Sequence, residues 1–257
     1  MTTEPIKLAL VTGGCRRLGA HISEHLAVSG YTLALHGHSD AQPDDWLRAS
    51  LDEMGVRWHG FVADFGAEGA AGQLVQDVAN HFDKAPTLVV NNASLFEYDD
   101  LSSIDQATME RHLRINSVVP TLITSSVSAL LEPGDKSSVV HIIDQRVRNP
   151  NGDQLSYTIS KQALSEAVRT LARACAPSVR VNGVAPGLTL PTGEYSETQM
   201  DRLAEAMPLD RLSAPEDIAD AVRFLAEAPA ITGQTIFVDG GAHLESYDRD
   251  FVFLGKD

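Results

Sequence analysis

An apolar run that passes straight into a glycine-rich turn is the strongest constraint in this chain. Residues 6–12 read IKLALVT and lead into Thr12-Gly13-Gly14-Cys15-Arg16-Arg17-Leu18-Gly19. After that turn Leu18, Ile22, Leu26 and Ser29 recur at helical spacing until Gly30. A buried strand that hands over to a helix through glycines leaves backbone N–H groups pointing outward at the helix N-terminus. Such a turn lets the backbone approach a pyrophosphate closely. The strand before it and the helix after it give the motif its meaning, because glycines alone are common.

The same alternation continues along the chain. Strands are predicted at 31–36, 56–63, 87–91, 137–143, 178–184 and 235–238. Helices are predicted at 43–54, 68–82, 154–174 and 215–227, the last with Ser213 as its cap, and as two segments within 105–131. Pro120 suits the first turn of the second of these segments. Residues 188–199 are polar and broken by proline and glycine, which predicts a mobile loop. Strands alternating with helices mean a parallel sheet covered on both faces. The expectation is an α/β, doubly wound, Rossmann-like sheet in a single NAD(P)-binding domain over 1–257. Residues 242–257 form its C-terminal tail, and Phe251, Val252, Phe253 and Leu254 in it pack either on their own domain or on a neighbouring subunit.

Composition removes several classes. The 257 residues are 43% hydrophobic, enough for a sizeable core, and carry 20 basic against 35 acidic side chains, a formal net charge of −15. No basic field exists to neutralise phosphates, so nucleic acid is not an expected partner. No apolar run approaches the ~20 residues needed to span a bilayer. The start of the chain lacks a basic segment followed by a long apolar run, so no secretory signal is expected. Cys15 and Cys175 form no disulfide framework, which fits a reducing, cytoplasmic setting. No metal site is assigned.

The chemistry concentrates in 144–161, DQRVRNPNGDQLSYTISK. On a helix Tyr157 and Lys161 share a face. A nearby cation favours tyrosinate and brings the phenol toward working pH as a proton donor. Further candidates sit at predicted carboxyl ends of strands. Arg16 and Arg17 add charge at the glycine turn, and the second strand ends His36-Gly37-His38-Ser39 with no acid before Asp40, which favours the 2′-phosphate of NADP over the ribose of NAD. Asp64 either accepts from an adenine amino group or caps the helix that follows. Asn91-Asn92-Ala93-Ser94 either holds ribose or ties adjacent strands. Asn116, unusual within a helix, binds either a water near Lys161 or backbone.

Taken together, these residues resemble the short-chain dehydrogenase/reductase family over nearly the whole chain. The pieces are Thr12-Gly13 with Gly19, Asp64, Asn91-Asn92-Ala93, Asn116, Tyr157-x-x-x-Lys161, Pro186-Gly187 and Val238-Asp239-Gly240-Gly241. The resemblance implies hydride transfer from the nicotinamide of NADPH, with Tyr157 as acid, Lys161 holding the ribose and Asn116 supporting a relay water. It places the cofactor on Gly13, Arg16, Arg17, Leu18, Gly19, His36, His38, Ser39, Asp64, Asn91, Ala93, Ser94, Tyr157, Lys161, Pro186 and Gly187. It also implies a homo-oligomer, a dimer or homotetramer, built on the 105–131 and 154–174 helices.

Two positions depart from the common pattern. Arg17 stands where most members have a third glycine, and Asp144 where most have a serine that donates to the substrate carbonyl. A carboxylate cannot donate unless protonated. Both departures resemble the pteridine reductase branch, as do Asn91 to Ser94 followed by Phe96 and Leu35-His36-Gly37-His38. That branch usually has arginine where Ser39 stands. The implied substrate is a pterin or similar flat heterocycle held by Arg17, Ser94, Phe96, Asp144 and Tyr157, with Asp144, Tyr157, Lys161 and Asn116 as catalytic residues. The alternative is an NADP-linked reductase of a ketone or 3-oxoacyl compound. Phe96 either stacks on the ring or is a core aromatic. Asp144 either relays a proton or orders the loop carrying Arg146 and Arg148.

Overall fold

A computed structural model describes residues 7–191, 193 and 195–256. Seven strands form one parallel sheet in the order β3-β2-β1-β4-β5-β6-β7. They are β1 (Leu8–Thr12), β2 (Thr32–Gly37), β3 (Trp58–Val62), β4 (Leu88–Asn91), β5 (Ser137–Ile142), β6 (Val179–Pro186) and β7 (Thr235–Val238). The helices are α1 (Arg17–Val28), α2 (Asp45–Met54), α3 (Ala70–Phe82), α4 (Gln106–Leu113), α5 (Val119–Leu130), α6 (Leu155–Cys175), α7 (Glu197–Glu205) and α8 (Pro215–Glu227).

Strand side chains alternate between two helical layers. Ala9, Val11, Leu33, Leu35, Val90 and Val140 join one core with Ile22, Leu47 and Val222, from α1, α2 and α8. Leu8, Leu10, Ala34, Val89, Val139 and Val181 join the other with Val75, Ile123 and Ala172, from α3, α5 and α6. Burial on both faces is why these strands read as continuous apolar runs rather than alternating ones. The chain order reverses between β1 and β4, where Thr12 pairs with Asn91. A crevice beyond the strand ends opens at such a point.

Some expectations need correction. Residues 105–131 are continuous: α4 runs through a π-turn at Arg114–Val118 into α5, with Pro120 in its first turn as expected. The predicted loop at 188–199 ends in helix. Ser196 caps α7 by accepting from the Gln199 N–H at 3.1 Å, and the helix buries only Gln199 and Leu203, too narrow a stripe to show in the sequence. Ser213 is not the α8 cap. Ala214 holds that position, with its N–H donated to Asp217 Oδ2 at 2.8 Å, while Ser213 Oγ meets Thr189 Oγ1 at 2.8 Å. Ile6, Thr192 and Glu194, included in predicted segments, lie outside the described residues. Phe251 and Val252 of the tail are buried on their own domain, Phe251 against Leu203, Met207 and Ala242. Among the described residues no helix is long and apolar enough to cross a membrane.

Candidate active site

The glycine turn is held from three sides. His36 Nδ1 accepts from the Gly13 N–H at 3.1 Å, and its Nε2 pairs with the Ala63 carbonyl at 2.9 Å. Asn92 Nδ2 donates to the Thr12 and Gly13 carbonyls at 3.0 and 3.2 Å. Thr12 Oγ1 accepts from the N–H groups of Asn92 and Ala93. A β-carbon at Gly19 would drive into the Gly13 carbonyl, so α1 approaches the turn only because that residue is glycine. Arg17, at the position of the missing third glycine, adopts φ 50°, the left-handed region that glycine occupies at little cost.

His36 therefore does not present itself to a ligand. It is buried, both nitrogens are occupied, and burial lowers its pKa to about 4. It pins the turn instead. Around it stand exposed polar groups. Arg16 reaches Asp40 at 2.9 Å and Asp44 at 3.9 Å, and His38 lies 3.5 Å from Asp64, with Ser39 beside it. Asp64 does not cap a helix: α3 begins beyond Gly69, and Asp64 Oδ1 instead accepts from the Gly66 N–H at 2.7 Å.

Asn91 ties strands rather than facing the crevice. Its Nδ2 donates to His141 Nδ1 at 3.1 Å across the β4–β5 pair, and both residues are buried. Burial, with Lys161 nearby, lowers the His141 pKa to about 3. The side chain of Asn116 is also consumed structurally. Its Oδ1 accepts from the Leu95 N–H at 2.7 Å and from Ser94 Oγ at 3.1 Å, and its Nδ2 donates to the Leu95 carbonyl and to Ser160 Oγ, both at 2.9 Å. The residue four positions on is Pro120, which has no N–H to give the Asn116 main-chain carbonyl.

The phenol, carboxylate and ammonium groups meet in a cleft lined by Arg17, Ser94, Phe96, Asp144, Tyr157 and Lys161, with Pro186 and Gly187 also in its wall. Asp99 fixes the start of α6, accepting from the Ser156 N–H at 3.1 Å and from its Oγ at 2.5 Å. That aims Tyr157 at Asp144, and the phenol O–H donates to Asp144 Oδ2 at 2.9 Å. Phe96 stands edge-on to the Tyr157 ring at 4.7 Å and is half exposed, so it is a cleft aromatic and not a core one.

Asp144 also orders its own loop, because its other oxygen accepts from the Arg146 backbone N–H at 2.9 Å and from Nε at 3.3 Å. The expectation that Lys161 acidifies the phenol does not hold in this geometry. Lys161 Nζ donates to the Ile142 carbonyl at 2.9 Å, and burial lowers its pKa to about 8. Burial first, then the Asp144 charge, push Tyr157 well above its ordinary value. The cation that opposes them is Arg146.

Arg146 and Asp250 were not singled out from sequence. The Arg146 guanidinium is buried, donates from Nη2 to Asp250 Oδ2 at 2.6 Å and from Nη1 to Gln154 Oε1 at 3.0 Å, and lies 5.1 Å over the Tyr157 ring. Arg146 sits two residues from Asp144, which is the only local signal. Asp250 is 104 residues away and has none.

A doubly wound sheet with a glycine turn at its switch point and a Tyr/Lys pair on the adjoining helix defines a nicotinamide-dependent oxidoreductase. A family model described as Enoyl-(Acyl carrier protein) reductase matches residues 14–243, and the chain belongs to the short-chain dehydrogenase/reductase family. It is 30% identical over 243 residues to the uncharacterized oxidoreductase YmfI of Bacillus subtilis, covering 92% of this chain and 99% of that one. It is likewise 30% identical over 240 residues to the 3-oxoacyl-acyl-carrier-protein reductase FabG of Aquifex aeolicus, covering 91% and 96%. Among solved structures, FolM alternative dihydrofolate reductase 1 from Brucella suis in complex with NADP shares 35% identity over 95% of this chain and 98% of that one, at a TM-score of 0.84.

Proposed function

We propose that this protein is an NADPH-dependent reductase of a dihydropterin or a similar flat heterocycle. The observation that carries the reading is the hydrogen bond from the Tyr157 phenol to Asp144, at the strand end where a carbonyl reductase of the family needs a neutral donor. The NADP-bound FolM neighbour supports it.

The residues present fit the cofactor. Gly13, Leu18 and Gly19 would take the pyrophosphate at the start of α1, where a β-carbon at Gly19 would close the approach. Arg16, His38 and Ser39 would face the 2′-phosphate, Asp64 the adenine, and Ala93, Ser94 and Lys161 the nicotinamide-side ribose. Pro186 and Gly187 would bound the nicotinamide. NADPH supplies the hydride when bound. The protein supplies the proton: Tyr157 hands its proton to Asp144, whose carboxyl donates it to a ring nitrogen as the adjacent carbon receives the hydride, so that C=N becomes CH–NH. Phe96 covers one face of the ring, and Arg17 meets its polar edge. The Asn116 carbonyl and Lys161 would serve proton return through water.

NADPH oxidation in the presence of dihydropterins tests the reading, and turnover no higher than without substrate overturns it. The 3-oxoacyl reductase relative favours a second reading, a ketone or acyl substrate, in which Asp144→Ser would preserve or raise turnover. We also assign the protein to a reducing cytoplasmic compartment and to a dimer or tetramer. Exposed Val118 and Leu122 around the start of α5, with Ile159 on α6, would form the contact. Sedimentation at micromolar concentration tests the assembly, and a monomer overturns it.

A further inference from the structure

The C-terminal segment reaches into the candidate site rather than past it. Asp153, just before α6, accepts from Arg249 Nε and from the Asp250 N–H, both at 2.8 Å. Gln199 of α7 donates to the carbonyls of Phe251 and Leu254 at 3.2 and 2.6 Å. Asp250, so fixed, takes the outer end of the Arg146 guanidinium, while Asp144 takes the inner end. Arg146 is thus a buried cation shared by two buried or nearly buried carboxylates.

We propose that Arg146, gripped between Asp144 and Asp250, is a positioning residue of the reaction, and that the segment carrying Asp250 is part of the active site. The claim rests on the role given to Asp144 and Tyr157 above. A planar guanidinium that holds two carboxylates fixes the rotamer of each, so Asp144 keeps one oxygen on Arg146 and the other on Tyr157. It also balances the site. The charged or titratable groups facing Arg146 are Asp144 from its own loop, Tyr157 and Lys161 from α6, Asp250 and Arg249 from the tail, and Asp153 between them. Arg17 lines the same cleft from α1. Removing the charge of Asp250 leaves the cation over the phenol with one counterion instead of two, which favours loss of the phenol proton. The step in which the protein donates that proton then fails at lower pH.

The test compares D250N, D250E and D153N by pH profile, NADPH binding by fluorescence, and melting temperature. D250N should move the alkaline limb of kcat down by roughly 0.5 to 1 pH unit, with NADPH binding unchanged. D250E should restore the limb. D153N, which removes a charge that does not bond Arg146 and loosens the tail, should lower the melting temperature and move the limb less than D250N does. R146K keeps the charge but loses the fork, and should lower kcat about tenfold with little change in KM. A D250N limb at the wild-type pH, or an R146K variant with wild-type kcat, overturns the inference. Should D250N not fold, R146K decides alone. Wild-type protein with no dihydropterin turnover would overturn the substrate reading instead, and the two failures are distinct.

Discussion

The Tyr157 hydroxyl donates to Asp144 Oδ2 at 2.9 Å, so the family's tyrosine here points its proton at a carboxylate. The pair is the chemical distinction between this chain and a reductase that polarises a ketone with a serine. Asp144→Asn keeps the shape but only one acceptor oxygen, and it can no longer carry a proton. Dihydropterin turnover should fall about 10²- to 10⁴-fold while NADPH binding holds. Steady-state kinetics beside a cofactor titration check this, and a fall below tenfold refutes the role of Asp144.

Arg17 sits at φ 50°. Arg17→Gly should relieve left-handed strain and leave stability unchanged or raised by up to about 1 kcal/mol, after the entropy glycine adds to the unfolded chain. Binding of NADPH and substrate should nonetheless weaken, because the guanidinium at the cleft is gone. Chemical denaturation and cofactor titration on the same sample separate the two effects. A variant that is both less stable and unimpaired in binding contradicts the assignment.

Arg16 is held by Asp40 at 2.9 Å, both side chains being more or less half exposed. Asp40 is then a negative charge beside the place assigned to the 2′-phosphate. Asp40→Asn should tighten NADPH about threefold to tenfold and leave NADH nearly unchanged, with the gap narrowing as salt rises. Equal effects on both cofactors would remove Arg16 from the phosphate site.

His36 and His141 are both kept neutral by burial, down to about 4 and about 3. In the unfolded chain each takes a proton near 6.5. Stability is therefore complete above about pH 6.5 and lost as pH falls toward the native values. The loss from these two groups alone is about 4 kcal/mol at pH 5. Urea titrations from pH 7.5 to 5 check the slope, and H141L should flatten it by about one proton.

Lys161 titrates at about 8 in the fold against 10.5 in the free side chain. Below pH 8 a charged, buried lysine burdens the native state. Above it the lysine is neutral in the fold but still charged when unfolded, so stability rises. From pH 7.5 to 9.5 the wild type should gain about 2 kcal/mol relative to K161M. Tyr157, pushed above its ordinary value, does not titrate in that window. A flat difference would mean that Lys161 is charged throughout.

The sheet was legible because its central strands are buried on both faces and so print as short apolar runs. The Tyr157, Lys161 and Asp144 grouping was legible because helix geometry and thirteen residues of chain bring it together. The sequence leaves Asn91 and Asn116 open between a ligand and an internal tie and puts His36 on the cofactor, and all three side chains are internal ties. A polar residue at a strand end looks alike in sequence whether it faces the crevice or the neighbouring strand. Helix α7 has too few apolar residues to announce itself. The Arg146–Asp250 contact spans 104 residues, and no local pattern encodes it.

That separation bears on how the protein comes into being. All seven strands and the whole Tyr157 helix have been synthesised before residue 250 leaves the ribosome. Until it does, a buried guanidinium lacks one of its two counterions. The cleft is therefore completed only after the sheet, and a nascent chain can be largely folded yet incompetent until residue 250 has emerged.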